Sequence, residues 1–227
     1  MLSAVYLVFN EGYSASSGES VTRPDLTNEA IRLGRLLVAL LPDPEAIGLL
    51  ALMLLQDSRR AARTDDAGEP ILFADQDRSR WDRALIGEGL ALVGRAFAAG
   101  EVGAFAIQAA IAAEHARTLS ETDTDWVRIV SLYDMLLGAD GSPVVELNRA
   151  AAVALRDGPQ AGLALIDAIL LRGELGDYQP AHAARAELFR RLGRVEEAAA
   201  AYDRALSLTR QQPARKFLAR RRRELGA

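Results

Sequence analysis

Apolar residues recur along this chain every three or four positions, and short polar breaks separate the runs, which is the pattern of amphipathic helices. Leu2 to Phe9 reads as the last turns of a helix. "NEGY" closes it, with Gly12 placed to take a positive φ as terminator. "SASSGESVTRP", Ser14 to Pro24, predicts a mobile polar loop. A second helix follows in "DLTNEAIRLGRLLVALL", with Asp25 as its cap, Leu26, Ala30, Leu33, Leu37 and Leu40 at helical spacing, and Pro42 as its stop. "DPEAIGLLALMLLQDSRRAAR" starts again with Asp43 as cap and Pro44 at the first helical position. Its middle is apolar on every face, which predicts a central, buried helix. "TDDAGEPILFADQD" predicts a turn with a short extended piece at Ile71 to Phe73, and "RSRWDRALIGEGLALVGRAFAAG" a fourth helix capped by Asp77.

From about Val102 the pattern becomes pairs of Ala-rich helices with short breaks. "GAFAIQAAIAAEHARTL" pairs with "DTDWVRIVSLYDMLL", "SPVVELNRAAAVALRDG" with "PQAGLALIDAILL", and "QPAHAARAELFRRLG" with "RVEEAAAAYDRALSLTR". Gly158 and Gly193 lie 35 residues apart at successive turns, and Tyr133, Asp167 and Tyr202 recur at spacings of 34 and 35. That is the period of a tetratricopeptide (TPR) repeat. The last pair resembles one specifically: Gly193 turns, Ala198 and Ala205 are small where helices approach, Tyr202 plugs, and Leu206 seals. The middle pair departs from the pattern, with Leu163 where the small residue belongs. The expected architecture is all-α: a helical subdomain over 1–100, a right-handed superhelix of TPR-like hairpins over 101–212, and a capping helix over 213–227.

Composition sharpens this only a little. Aromatic residues make up 6% of the chain, and alternating β-branched runs are nearly absent, so strands are not expected. There is no cysteine, which excludes disulfides and thiolate metal sites. The longest apolar stretch, Ala46 to Leu55, is half of the roughly twenty residues a membrane span needs, and no signal-type segment precedes Asn10. A cytoplasmic protein without membrane contact is expected. The net charge of −4 gives no global field for nucleic acid. Arg215, Lys216 and Arg220 to Arg223 form the one basic cluster, readable as a solvated face near a helix C-terminus or as a contact for nucleic acid or an acidic protein.

Catalytic patterns are weak. Asn10-Glu11 is similar to the Asn-Glu pairs of some retaining glycosidases, but those carboxylates sit on barrel strands, and nothing here alternates like one. "DQDRSRWD" opens like a calcium loop, yet Arg80 replaces the turn glycine and Ile86 the bidentate glutamate. His115 and His182 are the only histidines and lie in different helical pairs, so no zinc set forms. Neither a phosphate-binding glycine loop nor a nucleophile elbow is present. No enzyme activity, metal or cofactor is expected. The first helix of each pair lines the concave side of a TPR array, which would place Asn148 and Arg156, then Glu187, Arg190 and Arg191, in a groove for a peptide or protein segment. Asn10, Glu11, Tyr13, Asp77, Arg78 and Trp81 are the further candidates for protein contact.

Read together, "YLVFNEGYSASSGE", "DLTNEAIRLGRLL", "GLLALMLLQDSRRAAR", "DQDRSRWDRALIGEG", "AIQAAIAAEHA", "SPVVELNRAAAVA" and the final repeat resemble the C-terminal extension of bacterial extracytoplasmic-function sigma factors that carry a TPR-type domain. The resemblance runs from about Val5 to Leu225, with a departure at "GAFAIQAAI", where a Pro and a Tyr would follow the glycine. It implies an accessory role in transcription initiation through protein contacts with the sigma core domains, RNA polymerase or a signalling partner. Promoter DNA would be read only by domains that this chain lacks, so the chain is expected to be a segment of a longer sigma factor. A free-standing TPR adaptor is the alternative, and an all-α hydrolase using Glu11 with Asp75 or Asp77 the remoter one.

Overall fold

A computed structural model describes residues 1–13, 22–66 and 68–226, the side chain of Glu121 apart. The expected loop over Ser14 to Pro24 therefore lies largely outside the described residues. Those residues form α1 (Leu2–Tyr13), α2 (Pro24–Leu40), α3 (Pro44–Asp57), α4 (Arg83–Ala98), α5 (Ala104–Ala116), α6 (Trp126–Ala139), α7 (Pro143–Arg156), α8 (Pro159–Leu171), α9 (Gln179–Arg191), α10 (Val195–Leu208) and α11 (Gln212–Glu224). Four single-turn 3-10 segments complete the set, and no strand occurs among the described residues. The all-helical expectation holds. The chain divides into two compact units, Met1–Asp125 and Trp126–Ala227.

In the first unit α3 is the centre. Its residues from Ala46 to Leu55 are all buried, because a helix apolar on every face can satisfy itself only when other helices surround it. Asp43 caps it as its sequence predicts, accepting from the Glu45 N–H at 2.9 Å, with Pro44 in the first turn. Helices α2, α4 and α5 pack around it, and Phe9 of α1 is fully buried in the same core. Helix α5, expected to open the first repeat pair, instead packs on α3 and α4 and falls within the first unit. It buries Ala106, Ile107, Ala109, Ala110, Ile111 and Ala113, so like α3 it has almost no free face.

Several local expectations change. Gly12 does not terminate α1 through a positive φ; the helix continues to Tyr13. A side chain at Gly12 would meet the Thr27 N at 2.6 Å and the Arg23 O at 2.8 Å, so the glycine admits the start of α2. Pro24 opens α2, which puts Asp25 in the first turn and Arg23 at the cap. The helix expected to run through Arg63 ends at Asp57, with a 3-10 turn at Arg60–Ala62. Phe73–Asp75 forms a 3-10 turn, so of the expected extended piece only Ile71 and Leu72 lie outside a helical turn. Asp77 caps the 3-10 turn Arg78–Arg80, and Asp82, accepting from the Ala84 and Leu85 N–H groups, caps α4. Trp81 lies between the two, outside any helix.

The second unit is built of hairpins. Helices α7 and α8 form one, α9 and α10 the next, and α11 follows on α10. Gly193 precedes the cap Arg194 of α10, but Gly158 is itself the cap of α8, so the α7–α8 turn is one residue shorter. Both glycines hold positive φ, 99° at Gly158 and 71° at Gly193, which an L side chain rarely adopts. The shorter turn shifts α8 by one position against the sequence overlay. The small residue at the close approach is Gly162, where an added Cβ would sit 2.4 Å from the Ala154 Cβ, and not Leu163. Ile166, fully buried, takes the place of Tyr202, while Asp167 stands half exposed beside Arg185. Leu218 of α11 enters the core formed by Tyr202, Phe189 and Leu188.

Candidate functional site

Three sequence candidates, Tyr13 and the distant neighbours Arg78 and Trp81, meet in one arginine–aromatic cluster of the first unit. The Arg59 guanidinium stands 4.6 Å from the Phe73 ring centre, 5.7 Å from that of Trp81 and 6.0 Å from that of Tyr13, and it donates to the Tyr13 hydroxyl. Arg63 covers the Tyr13 ring at 3.5 Å and donates to the Tyr13 carbonyl at the end of α1. Phe73 in turn meets Trp81 at 5.9 Å and the edge of His115 at 4.7 Å. Such cation–π contacts contribute about 0.5–2 kcal/mol each, more when desolvated as here. The cluster ties α1, the segment after α3 and the end of α5 into one joint.

Arg78 is the buried arginine of the cluster, 4% exposed, beside Trp81 at 2%. Its guanidinium stands 5.1 Å from the Trp81 ring and donates to the His115 carbonyl at 3.0 Å, the Thr118 carbonyl at 3.2 Å and the Thr118 hydroxyl at 2.7 Å. It thereby closes the C-terminal end of α5, where a cation also complements the helix dipole. Of the neighbouring candidates, Asp77 is exposed and spends its carboxylate on the Ser79 N–H and hydroxyl. Asn10 hydrogen-bonds Tyr6, whose phenol burial pushes above its ordinary pKa, and Glu11 is half-buried on the same helix. Sequence reasoning missed Arg59, Arg63 and Phe73. Only the crowding of arginine and aromatic residues over 59–81 hints at them.

Burial drives the His115 pKa down to about 3, with the cations Arg59 and Arg78 adding to the effect. A histidine depressed in the folded state costs stability when the unfolded chain takes up the proton, so stability should fall as pH drops below about 6.5. At an ordinary histidine value the limit is about 1.4 kcal/mol per pH unit. Urea unfolding at pH 7, 6 and 5 should show a slope of about 1 kcal/mol per unit that His115→Gln removes.

In the second unit the groove candidates separate. Asn148 is exposed on α7, and Arg156 is exposed and paired with the adjacent Asp157 at 2.7 Å. Glu187 is engaged within the chain: it accepts from Arg190 at 2.6 Å, from Arg221 of α11 at 2.8 Å and from the Tyr202 hydroxyl at 3.1 Å. Burial opposes ionisation of Glu187, but Arg190 and Arg221 outweigh it and hold the carboxyl below its ordinary value. The Tyr202 phenol is pushed up to about 12 by burial and by that carboxylate. The Glu187–Arg221 pair thus binds α11 to the last hairpin, Arg190 bonds Glu187 from within α9, and Arg191 remains exposed. A shallow depression of about 310 Å³ lies among α6, α7 and α8, lined by Leu137, Glu146, Arg149, Leu165, Ile169 and Arg172. Its cations are neutralised by Asp134 on Arg149 and by Glu146 and Glu174 on Arg172. Among the described residues no group of three or more His, Asp or Glu is placed to hold a metal ion, and no helix is long and apolar enough to cross a membrane.

The architecture is that of known TPR proteins. The crystal structure of TTC0263, a thermophilic TPR protein of Thermus thermophilus, is similar with a TM-score of 0.60, over 99% of this chain and 98% of that one, at 17% sequence identity. The chain thus has a TPR-like fold. Residues 1–97 match a family of unknown function, DUF6596. An uncharacterized protein, R00370, of Rhizobium meliloti (strain 1021) is 49% identical over 205 residues, which cover 90% of this chain and 48% of that protein. The chain spans about half the length of that relative.

Proposed function

We propose that the chain works as the regulatory C-terminal extension of a bacterial extracytoplasmic-function sigma factor, acting in the cytoplasm by binding and not by chemistry. The observation that carries this reading is the ordered run of motifs, from "YLVFNEGYSASSGE" to the final repeat, spread over nearly the whole chain. A TPR-like fold supports it, because stacked hairpins expose rows of side chains to other proteins. The relative in which the matching segment is about half of a longer protein supports it too, because the reading requires further domains on the same chain. In this arrangement α1 is the helix nearest the sigma core, and the Arg59–Tyr13–Arg63 stack is the joint that fixes its orientation. The extension would then set polymerase activity through contacts with the sigma core, polymerase or a signalling partner.

Calorimetric titration of the purified chain with separately produced promoter-reading domains of the cognate sigma factor, and with core polymerase, tests the proposal. Saturable binding to either, with altered transcription from a dependent promoter when the chain is added, is the expected result. Absence of heat with both at 100-micromolar-scale concentration, roughly the weak limit of transient complexes, would leave the free-standing adaptor as the better reading.

A further inference from the structure

Helix α11 carries Arg215, Lys216, Arg220, Arg221, Arg222 and Arg223 against one acid, Glu224, in a chain whose net charge is −4. Its cations divide by face. Arg221 is turned toward the body and bonds Glu187, and Arg222 bonds Asp203 at 3.1 Å. Arg220 lies 3.9 Å from Glu224 and over the Phe217 ring. The solvent-facing side presents Arg215, Lys216 and Arg223, all exposed, with Lys216 and Arg223 two helical turns apart. Arg215 and Arg223 make their hydrogen bonds to the backbone carbonyls of Leu206 and Ala219, which neutralise no charge. Lys216 and Arg223 form a cationic row about 10 Å long, flanked by Arg215 about 80–100° round the helix, and the apolar residues of the helix are already used.

We infer that this row is a docking surface for the phosphate backbone of nucleic acid. The inference stands independently of the sigma-factor reading, because it concerns the isolated chain. Leu218 is buried in the core, and Phe217 and Leu225 pack against it. A membrane-surface helix needs a free apolar face, and a protein interface needs an apolar or aromatic centre; this row offers neither. A phosphate backbone asks only for cations at helical spacing, and arginine forks suit its oxygens. Contact of this kind is independent of base sequence.

Fluorescence anisotropy of a labelled 20-base-pair duplex with the full chain tests it. Binding at low salt should weaken on raising salt with a log–log slope of about −3, the value for three neutralised phosphates. The variant R215E/K216E/R223E should bind at least tenfold more weakly. The control R32E/R35E/R95E, which reverses three exposed arginines of the first unit, changes net charge equally and should lose less than threefold. Circular dichroism melts identify any variant that has lost its fold; should the triple reversal do so, R215S/K216S serves in its place. No duplex binding at low salt, equal losses in both variants, or binding to vesicles containing phosphatidylserine in place of duplex would overturn the inference.

Discussion

Gly48→Leu should abolish cooperative folding of the first unit, or cost more than about 3 kcal/mol where folding survives. An ideal Cβ at position 48 would lie 2.5 Å from the Ala106 N, 2.6 Å from its Cα and 2.9 Å from its Cβ. Two of these atoms are backbone, so no side chain can rotate away. Helices α3 and α5 would have to separate by about 1 Å for the Cβ alone, and a close-packed interior absorbs such a shift poorly. The contact sits where both helices are buried on nearly every side, so the strain reaches α2 and α4 as well. Gly87→Ala is the matched control: position 87 lies inside α4, and a Cβ there meets nothing within 4 Å. That substitution should stabilise by up to about 1 kcal/mol through helix propensity. Thermal melts of both variants check the pair, and a Gly48→Leu protein melting like the parent would contradict the α3–α5 packing described above.

The same contact shows what is legible in the sequence. Helix α3 is recognisable as central because its apolar residues occupy every face, and period alone reveals that. Gly48 is visible inside the run, but its role depends on Ala106, which no local pattern joins to it. Helix α5 carries the same all-round apolar signal as α3, in "AFAIQAAIAAEHA". Its alanine content favours a reading as a repeat helix, although a TPR helix keeps a polar face and this one does not. The hairpin period is readable because Gly158 and Gly193 do mark successive turns. The register of α8 is not, since a cap at glycine and a cap one residue later give the same glycine spacing. Tyr13, Arg78 and Trp81 stand out in the sequence for separate reasons, and their convergence rests on Arg59 and Phe73, with Arg59 reaching back more than forty residues to Tyr13. Contacts of that range are set by packing, which one sequence does not display.

Glu45→Ala should destabilise the first unit by about 3 kcal/mol, because a side chain of α3 supplies the cap that α5 lacks. Gly103 stands at the cap position of α5 and offers no side-chain acceptor. The Glu45 carboxylate fills that role from the neighbouring helix, accepting from the Gly103, Phe105 and Ala106 N–H groups, each at 3.0 Å. These are orphan donors of a helix start, and a carboxylate there also meets the positive end of the dipole. Truncation leaves three partly buried donors without that acceptor, and hydrogen bonds to a charged group contribute about 1.5–3 kcal/mol. Glu45→Gln keeps one acceptor oxygen and loses the charge, so it should fall between parent and alanine, about 1–2 kcal/mol below the parent. Arg78 holds the other end of α5 by the complementary means, a cation on the His115 carbonyl. The helix is therefore clamped at both termini by residues outside it, at Glu45 and at Arg78. Amide hydrogen exchange distinguishes this from a general loss of stability: in Glu45→Ala the Phe105 and Ala106 amides should lose more protection than those in the middle of α3. Uniform loss across both helices would instead mean that Glu45 acts on the core as a whole and not as a cap.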